Sequence, residues 1–207
     1  KKVEGFDKVE WLVINDGSLD NTIQIAKDNG VDHIIHFCSN QGLAKVFMAG
    51  LDASLKLGAD VIVNTDADNQ YDAKYIHALT RPILEGKADM VIGERPILKI
   101  KDFSILKKFL QKIGSLVVRM VSNTSVPDAP SGFRALTKET AMKLNVFNDY
   151  TYTLETIIQA GQKKMTILSV PVEVNKVKRP SRLVKNIFQY IRRSIITIIR
   201  IFVIYQP

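Results

Sequence analysis

The stretch DVIVNTDADNQYD, residues 60–72, sets a β-branched apolar run directly before Asp66, Asp68 and Asp72, with Gln70 among them. Such a run reads as a buried strand. Three carboxylates gathered at its C-terminal end repel one another unless a cation or a polar ligand sits there. Strand ends of this kind are where α/β proteins place their chemistry, so the stretch predicts both a fold class and a site.

Working outward, VEWLVIND (9–16), HIIHF (33–37) and DMVIGER (89–95) are further short apolar runs, separated by helical patterns. Strand–helix alternation predicts a mostly parallel sheet covered on both faces. Ser18 and Asp20 are candidate helix caps and Gly30 a stop, and GLAKVFMAGLDASLKLG ends at Gly58. A third helix is expected over roughly Ala73 to Glu85. After Arg95 the alternation weakens into a lysine-rich loop and an amphipathic helix within 97–123. VPDAPSGFRALTKETAMKL then leads to a short strand and helix, and KKMTILSVPVEV (163–174) reads as a strand pair or one strand broken at Pro171. No internal repeat or low-complexity segment interrupts the pattern.

At 207 residues, 46% hydrophobic and 24% charged, the chain has the composition of one globular domain rather than a disordered segment. Its one cysteine, Cys38, excludes an internal disulfide, fits a reducing compartment and is expected in the core. The net charge of +8 is not spread evenly. Up to Gln162 there are 19 Lys and Arg against 20 Asp and Glu; from Lys163 onward there are 10 basic residues and one acid, Glu173. That asymmetry argues against nucleic acid as the partner and for a C-terminal segment that meets an anionic surface.

The tail SRLVKNIFQYIRRSIITIIRIFVIYQP alternates Ile and Phe with Arg182, Lys185, Arg192, Arg193 and Arg200. A basic helix of this composition suits a membrane interface, although a helix packed on the domain with solvated arginines also satisfies the pattern. Its uncharged runs fall short of the roughly 20 residues that span a bilayer. No signal peptide is read ahead of the first strand.

Two carboxylates and the amide oxygen of Gln70 are hard ligands, suited to Mg²⁺ or Mn²⁺ rather than zinc. Phosphate oxygens commonly complete such a shell, which makes a nucleoside diphosphate-sugar a natural substrate. A bare D-x-D equally suits an acidic loop capping the next helix, with Asp72 as its N-cap.

The company the motif keeps narrows the choice. WLVINDGSLDNT (11–22), NQGLAKVFMAG (40–50), NTDADNQYD (64–72), VIGER (91–95) and SGFRALTKE (131–139) occur in one order. At these spacings the chain resembles the family 2 glycosyltransferases of the GT-A fold, and within them the dolichyl-phosphate mannose synthase-like branch, over about Val9 to Pro207. The resemblance implies a GT-A domain over 1–178 and a basic amphipathic interface helix over 179–207. It implies that Asp16 meets the nucleotide base, with Gly17 and Ser18 shaping the turn; Asn15 stands where an aspartate is more usual, which is expected to matter little. Asp66 is implied to face the nucleotide and sugar, Asp68 to be the principal metal ligand and Gln70 a further one. Arg95 corresponds to a basic position near the donor phosphates, although a surface salt bridge also suits it. Asp128 and Arg134 fall where the family lines the acceptor cleft, and a guanidinium suits an acceptor phosphate. In RPSRL, Arg179, Ser181 and Arg182 are implied for the lipid phosphate, or form a merely basic juxtamembrane stretch.

The implied reaction is metal-dependent, inverting transfer of a hexose from a GDP- or UDP-sugar to a polyprenyl phosphate, dolichyl or undecaprenyl, at the cytoplasmic membrane face. A phosphate acceptor is already anionic and needs no strong base; a saccharide or glycolipid hydroxyl, the alternative acceptor, does, and Asp128 is the candidate for that role. A non-catalytic domain binding nucleotide or membrane is the reading from another class. Family members open with a strand and a P-x-x-N-E type turn ahead of the present first residues, so the expectation is either a sheet lacking that strand or another segment in its place. Transmembrane helices are expected beyond Pro207.

Overall fold

The strand predicted from residues 60–64 forms as β3, Val61–Asn64. It lies in a computed structural model that describes residues 2–97, 105–147 and 151–175, together with 192, 195–197, 199, 200, 203 and 204. Before it come β1 (Leu12–Asn15), α1 (Thr22–Asp28), β2 (His33–His36) and α2 (Leu43–Lys56). After it come a short 3₁₀ turn (Ala73–Tyr75), α3 (Ile76–Leu84), β4 (Met90–Glu94), α4 (Ile105–Ser122), β5 (Arg134–Thr137), α5 (Lys138–Lys143), α6 (Thr153–Gln162) and β6 (Ile167–Pro171). Gly30 and Gly58 follow α1 and α2 with φ of +69° and +83°, the left-handed backbone that lets glycine end a helix.

Period-two alternation buries both faces of the larger sheet. Ile62, Met90, Ile92 and Leu136 point to one side, where Phe47 and Leu51 of α2, Val118 of α4 and Ile157 and Ile158 of α6 meet them. Val91 and Ala135 point to the other, against Leu79 and Ile83 of α3. Each such side chain contributes about 1.5–3 kcal/mol by leaving water. The helices therefore cover both faces, as the alternation in the sequence predicts.

The strand directions are more mixed than expected. β1 pairs parallel with β2, and β4 pairs parallel with β6, but β5 runs antiparallel between β3 and β4. The chain returns through α4 and the loop after it, and enters the sheet from the end where β3 and β4 finish. Among the described residues the strands form two sheets, β1–β2 and β3–β5–β4–β6. No described strand joins β1 to β3. Cys38 corrects an expectation: β2 ends at His36, the chain leaves the sheet, and the thiol is exposed. The tail beyond Asn175 lies largely outside the described residues, so its division from the domain at 178 does too. Among the described residues no helix is long and apolar enough to cross a membrane.

α4 and α6 meet at a point with no room for a side chain. A Cβ placed on Gly161 would collide with the Ser122 carbonyl oxygen, which is backbone and cannot step aside. Gly161→Ala is expected to lower unfolding free energy by about 1–3 kcal/mol in urea titration, the usual cost of forcing added volume into a packed contact.

Candidate active site

Beyond Asn64 the chain turns through Asp66, Asp68 and Gln70. Asn69 adopts φ +59°, a left-handed conformation that asparagine tolerates better than most residues. The Asp68 carboxylate accepts the Gln70 amide N–H at 2.9 Å, tightening the turn. Asp72 then caps the 3₁₀ turn by accepting the Lys74 N–H at 2.9 Å. Asn175 holds the loop from outside, donating its backbone N–H to the Gln70 carbonyl at 2.9 Å and its side-chain amide to the Asn69 carbonyl at 3.0 Å. Tyr71, buried against Phe133, closes the loop.

The antiparallel entry of β5 brings a second loop to the same place. Asn64 pairs with Arg134, so Gly132 arrives beside Asp66. A Cβ at Gly132 would stand 2.8 Å from Asp66 Oδ2, and only glycine leaves that carboxylate its space. The Asn64 side-chain amide donates to the Gly132 carbonyl at 2.8 Å and to the Tyr152 hydroxyl at 2.7 Å.

Solvent reaches Asp66, yet protein atoms crowd its carboxylate. That burial, reinforced by the negative charge of Asp68, raises its pKa above the ordinary aspartate value, while Arg95 and Arg134 pull it back. Two carboxylates held this close are a place where a cation lowers the energy. Among the described residues no group of three or more His, Cys, Asp or Glu gathers around one point. Carboxylates are hard oxygen donors, so the pair fits Mg²⁺ or Mn²⁺ in its chemistry.

Asp128 and Arg95 form a buried ion pair. Arg95 Nε and Nη2 donate to the two carboxylate oxygens at 2.7 and 2.9 Å, and the Arg95 backbone N–H adds a third bond at 3.1 Å. Only 8% of Arg95 and 1% of Asp128 is exposed. The surface salt bridge considered for Arg95 is thus an internal one, and the carboxylate considered as a general base is already engaged.

Arg134 is moved out of the acceptor-phosphate role that its sequence context implies. It is 0% exposed, and its guanidinium donates to the Ser131 and Ala129 carbonyls, both at 2.8 Å, and to the Thr156 hydroxyl at 2.6 Å. Burial lowers its pKa from the usual arginine value. It organises the loop carrying Asp128 and Gly132 from within, with no surface turned to a ligand.

Asp16 does structural work at the end of β1. Its carboxylate accepts the Gln41 and Gly42 N–H groups at 2.6 and 3.1 Å and the Asn40 side chain at 2.9 Å, fixing the entry to α2. Gly17 makes the adjoining turn at φ +68°, with Ser39 and Asn40 backbone too close for a Cβ. Asn15 accepts the Ser18 N–H at 3.1 Å, and its side-chain amide lies 3.0 Å from His36 Nδ1. Arg179, Ser181 and Arg182 lie outside the described residues. Sequence reading passed over Asn64, Gly132 and Tyr152; the polar residue ending an apolar strand and the glycine of SGFR were the available signals, and Tyr152 offered none.

This arrangement, with carboxylates at a strand end and helices on both sheet faces, is that of an α/β transferase of the GT-A kind. The glycosyl transferase family 2 pattern matches residues 2–144, and the chain belongs to that family. It is 26% identical to the polyprenol monophosphomannose synthase of Mycolicibacterium smegmatis, over 80% of this chain and 66% of that protein. It is 28% identical to the UDP-N-acetylglucosamine–dolichyl-phosphate N-acetylglucosaminyltransferase of Methanococcus voltae, over 78% of this chain and 73% of the relative. Among solved structures, glucosyl-3-phosphoglycerate synthase from Mycobacterium tuberculosis, bound to Mn²⁺, UDP-glucose and phosphoglyceric acid, superposes with a TM-score of 0.68 at 16% identity, covering 92% of this chain and 68% of that one. That likeness establishes the fold.

Removing one partner of the Arg95–Asp128 pair strands a charge in the interior. Asp128→Ala is expected to cost about 3–5 kcal/mol of unfolding free energy, and Arg95→Met combined with Asp128→Leu to recover most of it. Chemical denaturation of the two variants beside the parent checks both halves.

Proposed function

We propose that this chain transfers a hexose from a nucleotide-sugar, GDP- or UDP-linked, to a polyprenyl phosphate such as dolichyl or undecaprenyl phosphate, with inversion and with Mg²⁺ or Mn²⁺ as cofactor. The family supports the transferase class, and the relatives from M. smegmatis and M. voltae carry names that specify polyprenol or dolichyl-phosphate acceptors. The observation that carries the reading is the engagement of Asp128. With that carboxylate committed to Arg95, the site suits an acceptor that arrives as an oxyanion and has no proton to surrender.

Asp66 and Asp68 would hold the cation, with Gln70 beside them, and Asp66 would also face the donor sugar. A bound Mg²⁺ or Mn²⁺ supplies neutralisation of the charge that gathers on the departing diphosphate. Arg95, close enough to lower the Asp66 pKa, adds positive potential on the donor side. The turn of Asp16, Gly17 and Ser18 forms the wall for the base. Arg179, Ser181 and Arg182 would receive the acceptor phosphate. Asn175, bonded to the carboxylate loop, stands four residues before Arg179 in the chain. The work of the site is to keep two anionic reactants in line.

A membrane surface suits such an acceptor, and α4 presents one compatible face. Ser115, Val118 and Ser122 are buried, whereas Phe109, Ile113, Leu116 and Met120 are exposed on the remaining surface, at 60, 42, 46 and 67%. The helix has Lys107, Lys108, Lys112 and Arg119 and no acidic residue. In the tail, Ile195, Ile196, Ile199, Val203 and Ile204 are likewise exposed. Apolar residues framed by cations are what an anionic interface binds.

Two measurements test this reading. With label in the sugar, metal-dependent transfer to polyprenyl phosphate in detergent is expected, lost with EDTA and reduced at least about 100-fold in Asp68→Ala, the scale of removing an electrostatic stabiliser of the leaving group. Transfer to a sugar hydroxyl with no lipid product would overturn the acceptor assignment. Sedimentation with phosphatidylglycerol vesicles is expected to exceed that with phosphatidylcholine vesicles and to fall in Phe109→Glu/Met120→Glu; equal binding by the variant would exclude α4 from the membrane contact.

A further inference from the structure

We infer that the Tyr152 hydroxyl is a positioning group for the Asp66–Asp68 carboxylate pair, acting through Asn64 and Gly132 to keep that pair competent to bind a divalent cation. The inference rests on the metal-site reading above and adds to it Tyr152, the residue immediately before α6.

Four observations converge on this hydroxyl. Tyr152 is 1% exposed and immediately precedes α6, so its ring lies in the core. The ring is fixed on one side by Phe47, stacked at 3.8 Å and 1°, and the Arg134 guanidinium lies 5.6 Å from its centroid. At the polar end, the hydroxyl accepts the Asn64 side-chain N–H at 2.7 Å and donates to the Gly132 carbonyl at 3.3 Å. Asn64 donates to that same carbonyl at 2.8 Å, closing a triangle of three groups.

Asn64 is the last residue of β3, two before Asp66, and Gly132 is the residue whose missing side chain makes room for the Asp66 carboxylate. One point above Gly132 Cα lies 2.8 Å from Asp66 Oδ2 and 3.0 Å from the Tyr152 hydroxyl, so the two oxygens flank the same small space. The triangle thus fixes the backbone on both sides of that carboxylate. Asp66 and Asp68 repel each other, and repulsion in a crowded site favours rotation of one carboxylate away. A rigid frame opposes that rotation before any cation arrives. Burial and the negative charge of Asp66 raise the Tyr152 pKa, so the phenol keeps its proton and remains a donor to Gly132.

Tyr152→Phe removes the hydroxyl and keeps the ring, its stacking on Phe47 and its face toward Arg134. Mn²⁺ titration of the whole chain, without donor or acceptor, is expected to show affinity lowered by about 10-fold, the lower end of what outer groups around metal ligands contribute. Asn64→Ala breaks the same triangle from β3, and the two changes together are expected to lower affinity no further than either alone. Leu79→Ala, a core change on the α3 side of the sheet away from Tyr152, is expected to lower the melting temperature and leave Mn²⁺ affinity within about twofold. Wild-type Mn²⁺ affinity in Tyr152→Phe, alongside loss of binding in Asp68→Ala, would overturn the inference and leave the metal-site reading standing. Absence of Mn²⁺ binding by the parent chain, or undiminished binding in Asp68→Ala, would overturn both.

Discussion

A guanidinium taken out of water costs several kcal/mol unless its N–H groups find acceptors. Arg134 finds them in the carbonyls of Ala129 and Ser131 and the hydroxyl of Thr156. Two of those three acceptors belong to the loop between α4 and β5, so satisfying the charge fixes the loop. Asp128, Gly132 and the start of β5 all take their positions from it. Asp128 then reaches Arg95 at the end of β4, and Gly132 reaches Asp66 at the end of β3. One buried cation therefore ties together the three strand ends that make up the site.

The charges around that cation also set what chemistry the site supports. Arg95 is balanced by Asp128 through two side-chain hydrogen bonds that engage both carboxylate oxygens. Asp66 and Asp68 carry the remaining local negative charge, and burial first, then the charge of Asp68, raises the pKa of Asp66. Mg²⁺ or Mn²⁺ held by these two carboxylates would balance their charge. On the proposed reading, such a site would act by placement and electrostatic stabilisation rather than by proton abstraction.

Much of this was legible in the chain. The β-branched runs located β1 to β4, and Asp72 capped its turn as its position suggested. Five ordered motifs identified the family. What stayed hidden depended on contacts between distant residues. RALT is too short to show its direction, and its antiparallel course follows from its register against Val61–Asn64. An arginine after SGF reads as a surface ligand because arginine is rarely buried, and only the loop folded around it supplies the acceptors that permit burial. The Arg95–Asp128 pair spans 33 positions, with neither residue carrying a local mark of the other. Cys38 followed an apolar run and read as core, but its strand ended two residues earlier.

The same loop connects the site to the exposed apolar face of α4. Ser115, on the buried side of that helix, accepts the Ala129 N–H at 3.2 Å, and the Ala129 carbonyl receives Arg134. On the opposite side of the same helix Phe109, Ile113, Leu116 and Met120 meet solvent. One face of this 18-residue helix is bonded to the Asp128 loop and the other is apolar. Interactions of this face with a lipid surface would therefore bear on the loop that holds Arg95 and makes room for Asp66. A soluble acceptor would place no such demand, and the helix could then carry polar residues at those four positions at no cost to the core.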